Sequence, residues 1–596
     1  MSQEQSKDMS QYFYRASAAD FMKIPGSPVA YWVSHELRAA FSNGEPLKKN
    51  GDTRQGMATS DNGRFLRSWW EVAMTKLHTS ASSREEAAQC GAKWFPYNKG
   101  GDFRKWYGNI EHVLNWENDG EEVIGHAASL YGSPTRTIKS ISEYFKPSIS
   151  WSKISSGNLA LRYYPSGFIF DVAGCCIFTP DHEYRLKLTG FMNSLVSRRL
   201  LTAISPTLNF EVGHIASMPI IDSLSQITPN TIEQLIDQAK SDWDSYETSW
   251  DFVTPPLLDT DVFHPVLSRV YQETRCKWRK ETLKTQLLEE ENNRAFITSY
   301  SLQAELAPEV PSNEVTLTCN PQYRYGGNRS EEELETLLQC DTLRELVSYA
   351  IGCMMGRYSL DKPGLILASQ GETLQDYLRQ IPSPRFAPDD DAILPLTDQE
   401  WFSDDATHRF REFIRVVWGD ENLQQNLDFV AESLCLHAIK PKKGENSLDT
   451  IRRYLSTQFF KDHLRTYKKR PIYWLFSSGK HKAFECLVYL HRYNEGTLAR
   501  MRTEYVIPLT AKLANYAAKL EKDLEASTST AEKKRLEKEL TTLHNQQAEL
   551  AAFDEKLRHY ADQRISLDLD DGVKLNYGKF GDLLAEVKAV TGGASE

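Results

Sequence analysis

Residues 151–220 carry the signatures of both strand and helix in one continuous stretch, so the chain can be neither all-helical nor all-strand. The stretch opens WSKISSGNLALRYYPSGFIFDVAGCCIF. Residues 159–164 and 168–178 are rich in aromatic and β-branched side chains, and Pro165-Ser166-Gly167 lies between them, which predicts two strands joined by a turn. The stretch closes LTGFMNSLVSRRLLTAISPTLNFEVGHIASMPI. There Leu186, Phe191, Leu195 and Leu201 fall near helical spacing, predicting one helix over about 184–203 that Pro206 stops.

The far end of the chain has a different period. Leu513, Ala517, Leu520 and Leu524 space as 4, 3, 4, and after a polar run at 527–530 Leu536, Leu540, Leu543, Leu550 and Leu557 resume a heptad pattern. Two or three heptads per arm predict an antiparallel helical hairpin rather than a long rod. Ser529 with Glu532 has the spacing of a capping box. Gln547 and Asp554 fall on the seam, so the seam is imperfect. Between the two ends, residues 342–367 read as a strongly apolar buried helix, and HRFREFIRVVWG and QQNLDFVAESLCLHAI continue the helical pattern.

A chain of 596 residues has room for roughly three or four domains. The expected class is α+β: a mixed α/β domain, a mostly helical domain and the C-terminal antiparallel hairpin. The expected divisions are an entry segment (1–50), the mixed domain (51–225), a helical connector (226–330), the helical domain (331–508), the hairpin (509–563) and a tail (564–596). No apolar run approaches the ~20 residues of a membrane span, and the opening MSQEQSKDMSQYF has no apolar core of a signal peptide. The nine cysteines are scattered without a CxxC, which fits reduced thiols in a cytoplasm and gives no zinc-ligand spacing.

The net charge of −11 argues against wholesale coating by nucleic acid but permits a local basic groove. Three segments qualify. TRQGMATSDNGRFLRSWWEV (53–72) sets Gly56 and a small polar run among Arg54, Arg64 and Arg67. It reads either as a loop that lets a DNA backbone approach closely or as an ordinary polar turn. In KWFPYNKGGDFRKWYGNIEHVLNWENDG (93–120), Lys93, Lys99, Arg104 and Lys105 alternate with aromatics around Gly100-Gly101. That suits phosphate contacts with base stacking, or equally a strand pair whose aromatics are core. Residues 440–482 hold twelve Lys and Arg against Glu445, Asp449 and Asp462, with Tyr454, Tyr467, Tyr473 and Trp474 interleaved. This is a local field that attracts phosphate, or else a solvated basic face.

Catalytic signatures are weaker. Asn320-Pro321-Gln322-Tyr323 misses the Asn-Pro-Pro-Tyr pattern of adenine methyltransferases by one residue and reads as a turn. No Gly-rich loop suits S-adenosylmethionine, and Gly479-Lys480-His481 is not a phosphate-binding loop of the Walker type. The carboxylates of AKSDWDSYETSWDF, opposite the Trp243, Tyr246 and Trp250 stripe, read as a solvated face.

Taken together, the 53–72 and 93–109 segments, WSKISSGNLALRYYPSGFIFDVAGC, DWDSYETSWDF, YAIGCMMGRYSLDKPGLIL, KRPIYWLFSSGKHKAFECLVYLHRYNEGTLARMRTEYVIPL and YADQRISLDLDDGVKLNYGKFGDLL resemble the C-terminal half of the PglX family. These are adenine-specific DNA methyltransferases of BREX phage-defence systems, and the resemblance covers almost the whole chain. It implies that this chain is the target-recognition part, without the catalytic half that carries S-adenosylmethionine and flips the adenine. No cofactor is then expected here. The implied partners are double-stranded DNA, the methyltransferase half and other BREX components, with no membrane. Residues 51–225 would enter the major groove, with Arg54, Asn62, Arg64, Arg104 and Arg162 as candidate base readers and Lys99, Lys105 and Lys153 as phosphate contacts. Lys442, Lys443, Arg465, Lys468, Lys469, Arg470 and Lys480 would clamp the duplex, and the hairpin would serve as a spacer or docking arm. Two rival readings stay open: a scaffold that docks other defence proteins, and a self-sufficient methyltransferase.

Overall fold

The computed structural model describes residues 17–592 except 156, 206, 208 and 222–227. Pro206 and the polar start of the entry segment therefore lie outside the described residues. The chain divides into two compact units that cut across the expected boundaries. The first takes in residues up to 66, 78–243 and 278–326. The second takes in 67–77, 244–277 and 327 onward. The entry segment is not a separate piece, since Ile24, Val33, Leu37 and Leu47 are buried in one core with Trp151, Leu188 and Phe191.

In the first unit, four antiparallel strands run in the order Asp52–Arg54, Gly174–Phe178, Ser148–Ser152 and Leu161–Tyr164. A second sheet centres on Trp94–Asn98, which pairs antiparallel with His112–Asn115 and parallel with Ile169–Phe170. The expected strand over 168–178 is thus two strands, one in each sheet. Asp171 makes the change of sheet: its carboxylate accepts from Ala173 N at 2.8 Å and from the Tyr97 hydroxyl at 2.8 Å, turning the chain. Gly174 follows because a Cβ there would stand 2.6 Å from Asn98 O.

The expected single helix over 184–203 is also two, His182–Met192 and Leu195–Ile204. Ser194 caps the second by accepting from Ser197 N, and the Asn193 amide pairs both ways with the Leu161 backbone at 2.9 and 3.0 Å. Leucine spacing continues across the break, so the periodicity alone hides it.

In the second unit, Glu485–Tyr489 lies between Ile393–Pro395 and Tyr473–Ser477, antiparallel to both. Around it are the helices Glu331–Met354, Ala406–Trp418, Leu423–His437 and Ser447–Tyr454. Ile507–Ala526 and Thr530–Asp562 form the two arms at the leucine-rich end. Leu513, Ala517, Leu520, Leu536, Leu543, Leu550 and Leu557 are buried there. Ser529 caps the second arm, but the capping box is incomplete, because Glu532 accepts from the Ser527 hydroxyl instead. Asp554 pairs with Arg502 at 2.7 Å, which accounts for a carboxylate on the seam. No helix among the described residues is long and apolar enough to cross a membrane.

Candidate nucleic-acid interface

In the first unit, four chain segments converge where the two sheets meet. Arg54 pairs with Cys176 and Ser152 with Gly174; Lys153 N donates to Ala173 O, and Asp171 N donates to Asn98 O. This brings the turn that carries Lys99 beside Lys153, while Arg54 lies on the strand at the other side of Gly174–Phe178. Asn98 holds the junction together. Its buried amide donates to Ser150 Oγ at 2.6 Å and to Gly174 O, and its oxygen accepts from Gly100 N. Gly101 N in turn donates to Ser152 Oγ at 3.0 Å. The turn that carries Lys99 is therefore rigid and pinned to the strand that carries Lys153. A buried Asn inside an aromatic run gave no pattern in the sequence, and its positioning role was not foreseen.

Buried Asp171 stands near Lys99. Burial raises its pKa, while the Ala173 N–H and the Tyr97 hydroxyl partly stabilise the charged form. The three cations are not equally available. Arg54 is half exposed and pairs with Asp52 at 2.8 Å. Lys153 pairs with Glu211 at 3.1 Å. Lys99 is only partly exposed. Exposed pairs of this kind are worth little and exchange readily for phosphate.

Asn62 and Arg64 lie further along the same loop. Asp61 caps the short helix Asn62–Phe65, Thr59 donates to the exposed Asn62, and Arg64 pairs with Glu122 at 2.6 Å. Gly56 permits a close backbone approach, but to the chain itself: a Cβ would stand 1.9 Å from Phe170 O.

Three expected contacts need correction. Arg104, Lys105 and Arg162 are buried. The Arg104 guanidinium pairs with Asp242, donates to Thr318 and lies 5.0 Å from the centre of the Trp243 ring. Lys105 forms an ion pair with Glu289, which also accepts from Trp106 Nε1 at 2.7 Å. Arg162 donates to Arg104 O and Ser152 Oγ. These cations hold the unit together and present no face to a phosphate. Asp242 belongs to the same system and is not solvated, since it accepts from Thr318 N and Cys319 N at 2.6 and 2.9 Å. The interleaved aromatics are likewise core: Trp94, Phe95, Tyr97, Trp106 and Tyr107 are buried. The Asn320 side chain caps the helix Pro321–Tyr325 and donates to Ser312 O and Val315 O, which makes it part of a turn.

In the second unit, Lys442 and Lys443 are exposed and line a cavity of about 450 Å³ with Arg452 and Arg453. Both arginines are already held, Arg452 by Asp405 and Thr397 O and Arg453 by Glu445. Lys480 is exposed on the turn between Tyr473–Ser477 and Glu485–Tyr489. Lys468 and Lys469 are exposed in a left-handed turn, with φ of 50° and 62°. Arg465 stands 3.7 Å from Asp462, and Arg470 stands 4.0 Å from Glu71. The aromatics of this segment, Tyr454, Tyr467, Tyr473 and Trp474, are buried and offer no stacking platform.

No protein-family model matches the chain. Over nearly its whole length, however, it is similar to adenine-specific methyltransferases. It is 44% identical over 589 residues to adenine-specific methyltransferase BrxX of Escherichia coli O9:H4 (strain HS), a match covering 97% of the chain and 46% of that protein. It is 39% identical over 578 residues to adenine-specific methyltransferase PglX of Lacticaseibacillus casei (strain Zhang), covering 95% of the chain and 45% of that protein. The chain thus spans about half the length of the curated relatives it matches.

Proposed function

We propose that this chain is the DNA target-recognition part of a BREX-type adenine-specific DNA methyltransferase, and that it positions a duplex for a catalytic half that binds S-adenosylmethionine. The match of 97% of the chain to under half of a protein named an adenine-specific methyltransferase carries the reading. The Lys99 turn pinned beside Lys153 supports it, because cations on a rigid junction suit a fixed register on a phosphate backbone. Asn62 and Arg64 are the side chains best suited to base edges. The exposed lysines of 440–482 add sequence-independent attraction.

Competition between short duplexes, followed by fluorescence anisotropy at several salt concentrations, tests the proposal. The expected result is a sequence preference together with affinity that falls steeply as salt rises. K99E and K153E weaken all duplexes alike, and each lowers the salt slope by about 1. N62A instead costs roughly 1–3 kcal/mol for one base position only. No preference among duplexes and a flat salt response overturn the reading.

A further inference from the structure

The first unit holds another concentration of cations, apart from Lys99 and Lys153. A cavity of about 690 Å³ opens beside Asp52–Arg54, where Gly174–Phe178 ends and the helix His182–Met192 begins. Its walls carry Lys48, Lys49, Lys146 and Arg185 against Asp52, Glu143 and Asp181. All three carboxylates already have partners, Glu143 within the cavity wall itself. Asp52 accepts from Arg54 at 2.8 Å, Glu143 from Lys146 at 3.0 Å, and Asp181 caps the helix by accepting from Tyr184 N at 2.7 Å. Lys49 is held by Glu45 at 2.7 Å.

Arg185 has no such partner. It is 8% exposed, its Nη1 reaches only the Thr179 hydroxyl at 3.3 Å, and its Nε makes no hydrogen bond. Among the described residues no carboxylate lies within ion-pair distance of Arg185 or of the exposed Lys48. The centre of the Tyr163 ring stands 5.8 Å from the Arg185 guanidinium, but a buried guanidinium without an anion remains costly. Its planar donor fork matches the oxygens of a phosphate. The adjacent helix of eleven residues starts at the cavity, with its N-terminal end already capped by the Asp181 carboxylate.

We propose that this cavity binds a phosphate group, with Arg185 and Lys48 as its two cationic ligands. The group could belong to a duplex backbone or to a free phosphorylated molecule; both present the same oxygens. The inference stands independently of the target-recognition reading.

Titration of the full chain with inorganic phosphate, followed by ³¹P line broadening, tests it. Saturable binding is expected for the wild type, weakened at least tenfold by R185Q and several-fold by K48E. Thermal melting checks that both variants are folded. K48E changes an exposed side chain, so it decides the matter if R185Q does not fold. No saturable broadening with the wild type, or equal affinity in wild type and folded variants, overturns the proposal. Excess short duplex identifies the source: loss of phosphate broadening points to the DNA backbone, and unchanged broadening points to a free phosphorylated ligand. If no duplex binds at any salt concentration, the recognition reading fails while the phosphate titration still stands.

Discussion

Lys105 and Glu289 meet where neither side chain reaches water, and Trp106 Nε1 completes the carboxylate's hydrogen bonding. Removing one partner leaves the other charge buried and unpaired, which typically costs about 3–5 kcal/mol. K105M is therefore expected to destabilise the first unit by about that amount in urea unfolding. K105M/E289L should be less destabilised than K105M, because no orphaned charge remains. Duplex affinity per folded molecule should stay as in the wild type. Unchanged stability with a uniform loss of duplex affinity would instead return Lys105 to the phosphate contacts. Arg104, Lys105 and Arg162 show why these roles were illegible in the sequence. A basic residue among aromatics looks the same whether its carboxylate partner is absent or lies 138 positions away at Asp242 or 184 away at Glu289. Charge runs record composition, whereas availability depends on partners that only the fold brings in.

The elements divide in the same way. Of the nine positions of the leucine pattern in the two arms, seven are buried and Leu524 and Leu540 are half-buried, as local periodic contacts allow. The breaks at Asn193-Ser194 and Asp171–Ala173 were not legible in the sequence, because each rests on side-chain bonds to a distant strand. One such bond set ties an arm to a turn within the second unit. Glu549 accepts from the Ser478 hydroxyl at 2.7 Å and from His481 N and Ala483 N at 2.6 and 3.1 Å. Burial raises the pKa of this carboxylate, but those hydrogen bonds outweigh it and hold the value below the ordinary one. E549A leaves the His481 and Ala483 amides without an acceptor. Their hydrogen exchange should accelerate strongly while that of the Glu485–Tyr489 strand stays protected. A tip that exchanges no faster in E549A would mean the turn is held by its own backbone. The same variant tests Lys480, since a loosened tip should weaken duplex binding and lower its salt dependence.

At the scale of the whole second unit, stability should carry an unusual pH signature. Glu247 is buried, accepting from the Tyr467 and Ser348 hydroxyls at 2.9 and 3.0 Å. Desolvation pushes its pKa from 4.5 up to about 7 despite those bonds and the nearby Arg357. His463 and His491 are buried neutral, and desolvation with the Arg357 charge lowers both from 6.5 to about 3. The signs oppose each other. Between 4.5 and about 7 the folded state holds the Glu247 proton and the unfolded chain does not, so this group lowers stability as pH rises. Between about 3 and 6.5 the unfolded chain protonates both histidines and the folded state does not, so they raise stability as pH rises. Each group contributes about 1.4 kcal/mol per pH unit within its window. From pH 4.5 to 6.5 two groups oppose one, so these three together should raise stability with pH, by roughly 1 kcal/mol per unit. E247Q keeps an acceptor for Tyr467 but removes the opposing titration, so the climb should steepen by roughly 1 kcal/mol per pH unit. Just above 6.5 the wild type should lose more stability per pH unit than E247Q, as Glu247 ionises. Urea unfolding of wild type and E247Q at half-unit steps from pH 4.5 to 8 measures both slopes. Parallel curves would mean that the folded protein carries Glu247 ionised, with the Arg357 guanidinium outweighing the desolvation of the carboxylate.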